Sequence, residues 1–115
     1  MSVYDVVASS ICVASGDGDK VFSRIRAALN RNAPVSVSFR NVSPLSSAFL
    51  DAAFGQLFGQ FSEEKIQESI RFEHLALDDR DLLKRVMDTA KVYHRDPERF
   101  EKAIREALGE YEDEI

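Results

Sequence analysis

The feature that most constrains the fold of this chain is an alternation of short strand-like runs with longer helical segments. Three runs predict strands: the apolar residues at positions 4–7, the segment 35–39 and the segment 70–75. Residues 35–39 alternate between apolar and small polar side chains, which is the two-residue period of a strand. The order strand, helix, strand, helix, strand, helix, helix predicts an α/β fold. At least some strands are then parallel and joined by right-handed crossovers.

The helical segments are identified by apolar residues that return every three to four positions. They cover residues 18–31, 47–61, 82–93 and 97–111. Ser46 or Ser47 is placed to cap the second segment, and Ser62 is placed to cap a further helical turn. Asp96 followed by Pro97 is typical of a helix start, so the last segment is predicted to be an added C-terminal helix.

Length and charge favour one domain with an acidic end. A chain of 115 residues has the size of a single domain. The net charge is −5, and the stretch 95–115 contains four basic and eight acidic residues. We therefore expect a domain over residues 1–94 and a helical extension over residues 95–115 that ends in an acidic tail.

The composition argues against several classes of protein. No apolar stretch approaches the roughly 20 residues of a membrane span, so no membrane partner is expected. An isoelectric point near 5.0 argues against a nucleic-acid binder, which carries a basic patch. Cys12 is the only cysteine. A chain without a disulfide framework is typical of the reducing cytoplasm, where we expect this protein to act.

The titratable residues do not suggest a metal site or a catalytic pair. His74 and His94 lie twenty residues apart, and we expect both to be structural or surface groups. The acidic residues 78–81 stand where a helix begins, where carboxylates complement the helix dipole. Cys12 has no basic neighbour in the sequence, so a buried thiol is predicted. We therefore expect no metal, no cofactor and no enzymatic activity.

The turn that follows the segment 35–39 is the most specific candidate site. It delivers Ser46 and Ser47 to the start of a helix, where free backbone N–H groups and a partial positive charge stabilise an anion. That anion would be a bound phosphate or a phosphate carried by one of these serines. Simple helix capping by either serine is the alternative reading of the same residues.

The same region carries a resemblance to a known family. Residues 35–57, VSVSFRNVSPLSSAFLDAAFGQL, resemble the STAS-like family of small bacterial proteins of unassigned function. These proteins are relatives of the STAS domains of anti-sigma-factor antagonists and sulfate transporters. Further similarity lies at residues 17–18, 82–86 and 90–91, so the likeness spans about residues 3–93. It implies a mixed sheet of about four strands packed by helices.

The resemblance also implies a binding and switch module without catalysis. In the antagonist relatives, a partner kinase phosphorylates a serine at the start of the corresponding helix, and this releases the partner. Alignment of strand and helix puts Ala48 at the phospho-acceptor position of the antagonists. Ser46 falls at their Asp, Ser47 falls at their first serine, and Ser38 replaces the usual Asp of the strand. Ser46 and Ser47 are therefore the candidate phospho-acceptors of this chain.

The leading hypothesis is a regulatory module that binds a protein, with a histidine-kinase-like ATPase as the partner that the resemblance suggests. The partner would dock on residues 42–60. The candidate contact residues are Ser43, Ser47, Phe49, Asp51 and Gln56.

Two other hypotheses stay open. One is a homo-oligomeric structural subunit that self-associates through the C-terminal helix and through a helix face that carries phenylalanines with Gly55 and Gly59. A helix keeps such glycines most readily where another backbone approaches closely, and that backbone is either the sheet of the same chain or a second copy. The other is an anion or nucleotide sensor that uses the helix start at Ser46 and Ser47.

Overall fold

Helices α1 (Val3–Val7) and α2 (Ser15–Asn30) come first in the structure, a computed structural model that describes residues 1–95. The prediction of a strand at residues 4–7 is wrong. The Ser2 hydroxyl accepts a hydrogen bond from the Asp5 N–H at 3.3 Å and caps α1. Val3 and Val7 stand one helical turn apart and are both buried, so a helix hides both side chains on one face.

Strands β1 (Val35–Ser38) and β2 (Ile70–Glu73) form a parallel pair in which Val35 lies opposite Ile70 and Ser38 opposite Glu73. The predicted parallel arrangement is therefore confirmed. Within residues 1–95 the sheet has two strands, so the expectation of about four strands is wrong in number. The N-terminal chain contributes only isolated bridges, from Ser2 to Ser38 and from Cys12 to Leu45.

Three short helical pieces connect the two strands: α3 (Ser47–Ala53), a 3₁₀ helix (Gly55–Gly59) and α4 (Glu63–Ser69). The sequence predicted one continuous helix over residues 47–61. A glycine costs about 1 kcal/mol relative to alanine inside an α-helix, so two glycines within five residues weaken a continuous helix here. The Ser62 hydroxyl accepts a hydrogen bond from the Lys65 N–H at 3.1 Å, which confirms the predicted cap.

Helix α5 (Leu77–Arg95) follows β2 and packs across α3 and the 3₁₀ helix. It begins five residues before the predicted segment 82–93. Asp78 and Asp79 lie in its first turn, as expected for carboxylates that complement a helix dipole. The predicted C-terminal helix and acidic tail fall on residues 96–115, outside the described residues. No helix of the described part is long and apolar enough to cross a membrane.

One apolar core joins these elements. Phe39, Phe54 and Phe72 form an aromatic cluster in which the Phe54 ring centroid lies 5.9 Å from that of Phe39 and 5.2 Å from that of Phe72. Helix α2 packs directly on α3. A Cβ atom placed on Gly18 would lie 2.8 Å from the Ala52 Cβ and would also overlap the Phe49 carbonyl oxygen. Only glycine permits this approach of the two backbones.

Candidate functional site

The start of α3 is bonded firmly to the chain segment before α2. The Ser46 hydroxyl accepts a hydrogen bond from the Phe49 N–H at 3.0 Å and donates one to the Val13 carbonyl oxygen at 2.7 Å. The Ser46 N–H also donates to the Cys12 carbonyl oxygen at 3.2 Å. Ser46 is therefore the helix cap that the sequence allowed, and its hydroxyl group has a structural role.

Ser43 and Ser47 flank this junction with exposed side chains. The Ser43 N–H donates to the Ser10 carbonyl oxygen at 2.9 Å, so the backbone of the loop is held while its side chain faces solvent. Ser47 is the first residue of α3. Of the two serines predicted as phospho-acceptors, Ser47 is therefore the exposed one, and Ser46 is the one engaged in capping.

The Phe49 side chain does not lie on the surface. Phe49 is 0% exposed and belongs to the core between α2 and α3. This burial corrects the expectation that Phe49 contacts a partner, because a side chain without accessible surface cannot touch another protein. A helical period indicates which residues share an apolar face, but it does not tell whether a partner or the chain's own core covers Phe49.

An open groove of about 780 Å³ runs between α3 and α5. Its walls are formed by Ser47, Ala48, Asp51 and Gln56 on one side and by Leu82, Arg85, Val86, Thr89, Ala90, Tyr93 and His94 on the other. We call this surface the α3–α5 groove. Three of the five predicted contact residues, Ser47, Asp51 and Gln56, line it.

Two glycines of the 3₁₀ helix lie close to residues that line the groove. A Cβ atom on Gly55 would lie 3.3 Å from the Ala90 Cβ, and one on Gly59 would lie 2.9 Å from the His94 Cε1. A Cβ atom on Gly55 would also overlap the Asp51 carboxylate, so Gly55 makes room for side chains of both α3 and α5. Gly59 makes room for the His94 side chain of α5. The groups nearest to these two glycines thus belong to α3 and α5 of the same chain.

The Gln56 side chain connects the groove wall to α2 by a hydrogen bond. Its side-chain amide nitrogen donates to the Asp19 carboxylate at 2.9 Å and to the Ala52 carbonyl oxygen at 2.8 Å. Both amide protons are thus used inside the chain. The amide oxygen is the group that remains for a ligand at this end of the groove.

The charges along the α3–α5 groove are few and of both signs. Asp51 stands on the α3 wall and Arg85 on the α5 wall. The Arg85 Nε donates a long hydrogen bond to the Asp81 carbonyl oxygen at 3.4 Å. Since its accessible surface is mostly apolar, the groove resembles the sites in which proteins bind helices more than it resembles an anion site.

A polar contact between α4 and α5 holds the α5 wall in place. The Lys91 ammonium lies 3.1 Å from the Glu63 carboxylate and 3.4 Å from that of Asp88. The hydrogen bond to Glu63 is the main cause that raises the pKa of Lys91 above its ordinary value of 10.5, although partial burial acts in the opposite direction. Because Glu63 is the first residue of α4, this contact connects α5 to the crossover between the strands.

The other cysteine, histidine and acidic side chains within residues 1–95 do not form a second candidate site. Cys12 is buried, and burial raises the pKa of its thiol, with the negative charge of Asp17 as a second cause. Residues 1–95 contain no group of three or more histidine, cysteine or acidic side chains placed to hold a metal ion. His74 does not line the groove and contacts Arg40, whose Nη2 is 3.1 Å from its Nε2.

The sequence did not predict the α5 wall of the groove or the exposed apolar residues beside the Ser46 junction. The sequence predicts only a helix for residues 82–93, and a helical period cannot tell which part of its apolar face stays open. Ile11 and Val13 are also exposed, at 53% and 43%, next to the Ser46 junction. Residues 11–13 are all apolar, so the sequence carries no signal that Cys12 is buried between two exposed neighbours.

The comparisons with known proteins identify a family. The family model described as a STAS-like domain of unknown function (DUF4325) matches residues 17–80, more than half of the chain. The matched segment contains the α3 wall of the groove, and most of α5 follows it. No curated protein and no solved structure matches the chain.

Proposed function

Because this chain belongs to the family of STAS-like domains of unknown function, we propose that it is a non-catalytic regulatory module that binds a protein partner in the α3–α5 groove. The observation that carries the proposal is the groove itself. An open apolar channel between two helices, with Ser47, Asp51 and Gln56 on one margin, is a surface suited to a partner helix. The apolar side chains would supply the binding energy, and the polar margins would fix the orientation.

The partner is proposed to be a component of a bacterial signalling system in the cytoplasm. The resemblance of residues 35–57 to the antagonist relatives suggests a histidine-kinase-like ATPase. The site on this chain is then the groove and the loop that leads to it through Ser43. Phe49 supports the site from the core and is not a contact residue.

Ser47 is the better candidate of the two serines for phosphorylation. Phosphorylation of Ser46 would remove the hydroxyl proton that it donates to the Val13 carbonyl oxygen and would place a negative charge beside that oxygen. A phosphate on Ser47 would add a charge of about −2 to the same wall as Asp51. This charge would repel an acidic partner surface and would cost desolvation energy against an apolar one, which is the property of a release switch.

The alternative of an anion or nucleotide sensor is not proposed. Helix α3 has only seven residues, and a short helix presents a weak dipole. The Phe49 N–H, one of its first amides, is already taken by the Ser46 hydroxyl.

The experiment is an affinity capture from the source organism with three tagged chains: wild type, Ala48→Arg and Ala27→Arg. Ala48 is exposed on the groove wall, so an arginine there would obstruct the groove without entering the core. Ala27 is exposed on α2 and receives the same change. Mass spectrometry quantifies the captured proteins and any phosphate on Ser46 or Ser47.

We expect a partner to be recovered by wild type and by Ala27→Arg, and its yield to fall at least about tenfold with Ala48→Arg, the equivalent of about 1.4 kcal/mol of binding energy. An ATPase together with phosphate on Ser47 would support the full switch. A partner without phosphate would support a plain binding module. Equal recovery by Ala48→Arg would contradict the groove as the site.

A further inference from the structure

The outer edge of β2 is a second surface of interest. Strand β1 has β2 on one side and the bridge to Ser2 on the other, but β2 has β1 alone. Among the residues that the structure describes, no strand or bridge pairs with the remaining edge of β2 (Ile70–Glu73). An open strand edge presents backbone donors and acceptors that can template another strand.

The parallel ladder determines which backbone groups face that edge. The Phe39 N–H donates to the Glu73 carbonyl oxygen at 3.0 Å. Every second residue of a strand bonds to the same neighbour, so the backbone groups of Arg71 and Glu73 face β1. Those of Phe72 then face the open edge. The Ile70 N–H is not available there, because it donates to the Ile66 carbonyl oxygen at the end of α4.

The side chains of β2 divide between core and solvent. Phe72 packs on Phe39 and Phe54, and Ile70 is buried. Arg71 and Glu73 are both exposed on the opposite face, and within residues 1–95 neither takes part in an ion pair. The edge therefore carries one positive and one negative charge, two residues apart.

We propose that β2 pairs with β2 of a second copy of this chain, in an antiparallel register centred on Phe72. Phe72 is the residue of β2 whose N–H and carbonyl both face outward, so a two-fold symmetric pair exchanges its hydrogen bonds between the two Phe72 residues. In this register Arg71 of each copy lies directly opposite Glu73 of the other. Opposite charges across a strand pair stabilise it.

The pairing explains the small size of the sheet in one chain. Two copies would share a four-stranded sheet in the order β1, β2, β2, β1, with parallel outer pairs and an antiparallel centre. The α3–α5 groove contains no residue of β2. Self-association through β2 is therefore independent of the proposed partner site, and either proposal can fail alone.

The test is a charge exchange followed by analytical ultracentrifugation at low ionic strength, at protein concentrations from about 10 µM to about 1 mM, the range of weak association. Arg71→Glu and Glu73→Arg each place like charges opposite each other twice. The double variant restores opposite charges. A mixture of the two single variants also restores them, because a strand with two acidic side chains then faces a strand with two basic ones. Arg24→Glu, exposed on α2, is the control.

We expect wild type and Arg24→Glu to form dimers, each single variant to weaken the dimer about tenfold or more, and the double variant to recover it. The mixture of single variants is expected to form heterodimers. A wild-type chain that stays monomeric at about 1 mM would overturn the proposal. So would single variants that dimerise like wild type, or a double variant that fails to recover.

Discussion

The Ser46 hydroxyl donates a hydrogen bond to the Val13 carbonyl oxygen at 2.7 Å while it caps α3 by accepting from Phe49. One side chain thus holds the start of α3 against the segment that precedes α2. The position of the α3 wall, and therefore the shape of the α3–α5 groove, depends on this bond.

The first prediction concerns this serine. Ser46→Ala removes a helix cap and a side-chain hydrogen bond, and should lower the free energy of unfolding by about 1–2 kcal/mol. Ser47→Ala changes an exposed side chain and should stay within about 0.5 kcal/mol of wild type. Urea denaturation measures both. Equal effects of the two substitutions would show that Ser46 has no special structural role.

The second prediction concerns the contact between α2 and α3. Gly18→Ala places a Cβ atom against the Phe49 carbonyl oxygen and 2.8 Å from the Ala52 Cβ. Because the backbone of α3 must move, we expect a loss of stability of about 1–3 kcal/mol.

Gly16→Ala is the matched control for this substitution. A Cβ atom at Gly16, in the first turn of the same helix, meets nothing within 4 Å. Gly16→Ala should leave the free energy of unfolding unchanged or raise it by up to about 1 kcal/mol, because alanine is the better helix former. Thermal unfolding compares the two, and a tolerated Gly18→Ala would contradict the close packing of α2 on α3.

The third prediction concerns the Lys91–Glu63 contact and alkaline pH. The hydrogen bond to Glu63 raises the pKa of Lys91 in the folded chain above 10.5. The stabilisation is therefore fully present below the pKa of the unfolded chain and is lost as the pH rises through the folded-state pKa. Part of the decline in stability above about pH 10 should disappear in Lys91→Met.

The control for this pH dependence is Lys84→Met. The Lys84 side chain is 77% exposed and pairs with Asp88 at 3.5 Å, so its removal should leave the alkaline decline nearly as in wild type. Urea denaturation at a series of alkaline pH values provides the data. If the free energy of unfolding falls at alkaline pH as steeply in Lys91→Met as in wild type, the Lys91–Glu63 contact does not stabilise the α5 wall.

The fourth prediction concerns the cysteine. Burial raises the pKa of the Cys12 thiol and hides it from reagents. In native protein at about pH 8, near the ordinary pKa of a thiol, a disulfide reagent should react with Cys12 only as fast as the chain opens, and urea should accelerate the reaction. A Val13→Cys variant adds a thiol at an exposed position and should show one fast and one slow phase. A fast reaction of wild type would contradict the burial.

The sequence predicted the elements with a clear hydrophobic period better than the others. Helix α2 and strands β1 and β2 follow clear periods, and the structure places them within a few residues of the predicted bounds. The run at residues 4–7 was misread because a short apolar run fits a strand and a helix equally well. The Ser2 cap and the burial of Val3 and Val7, which are four residues apart, favour the helix.

The groove was predictable only in part. The resemblance directed attention to Ser47, Asp51 and Gln56, and these residues do share one wall. The other wall depends on where α5 crosses the 3₁₀ helix, a tertiary contact at Ala90 and Gly55. No local pattern in a single sequence specifies such a crossing, so half of the candidate site could come only from the structure.

The most direct test of the partner site is an amide chemical-shift map of the ¹⁵N-labelled chain, recorded while the captured partner is added. The account predicts that the largest changes fall on α3 and α5, at groove residues such as Ala48, Val86 and Ala90. The exposed face of α2 around Ala27 should remain unchanged. Changes concentrated on that face, with α3 and α5 unaffected, would contradict the assignment of the α3–α5 groove as the binding site.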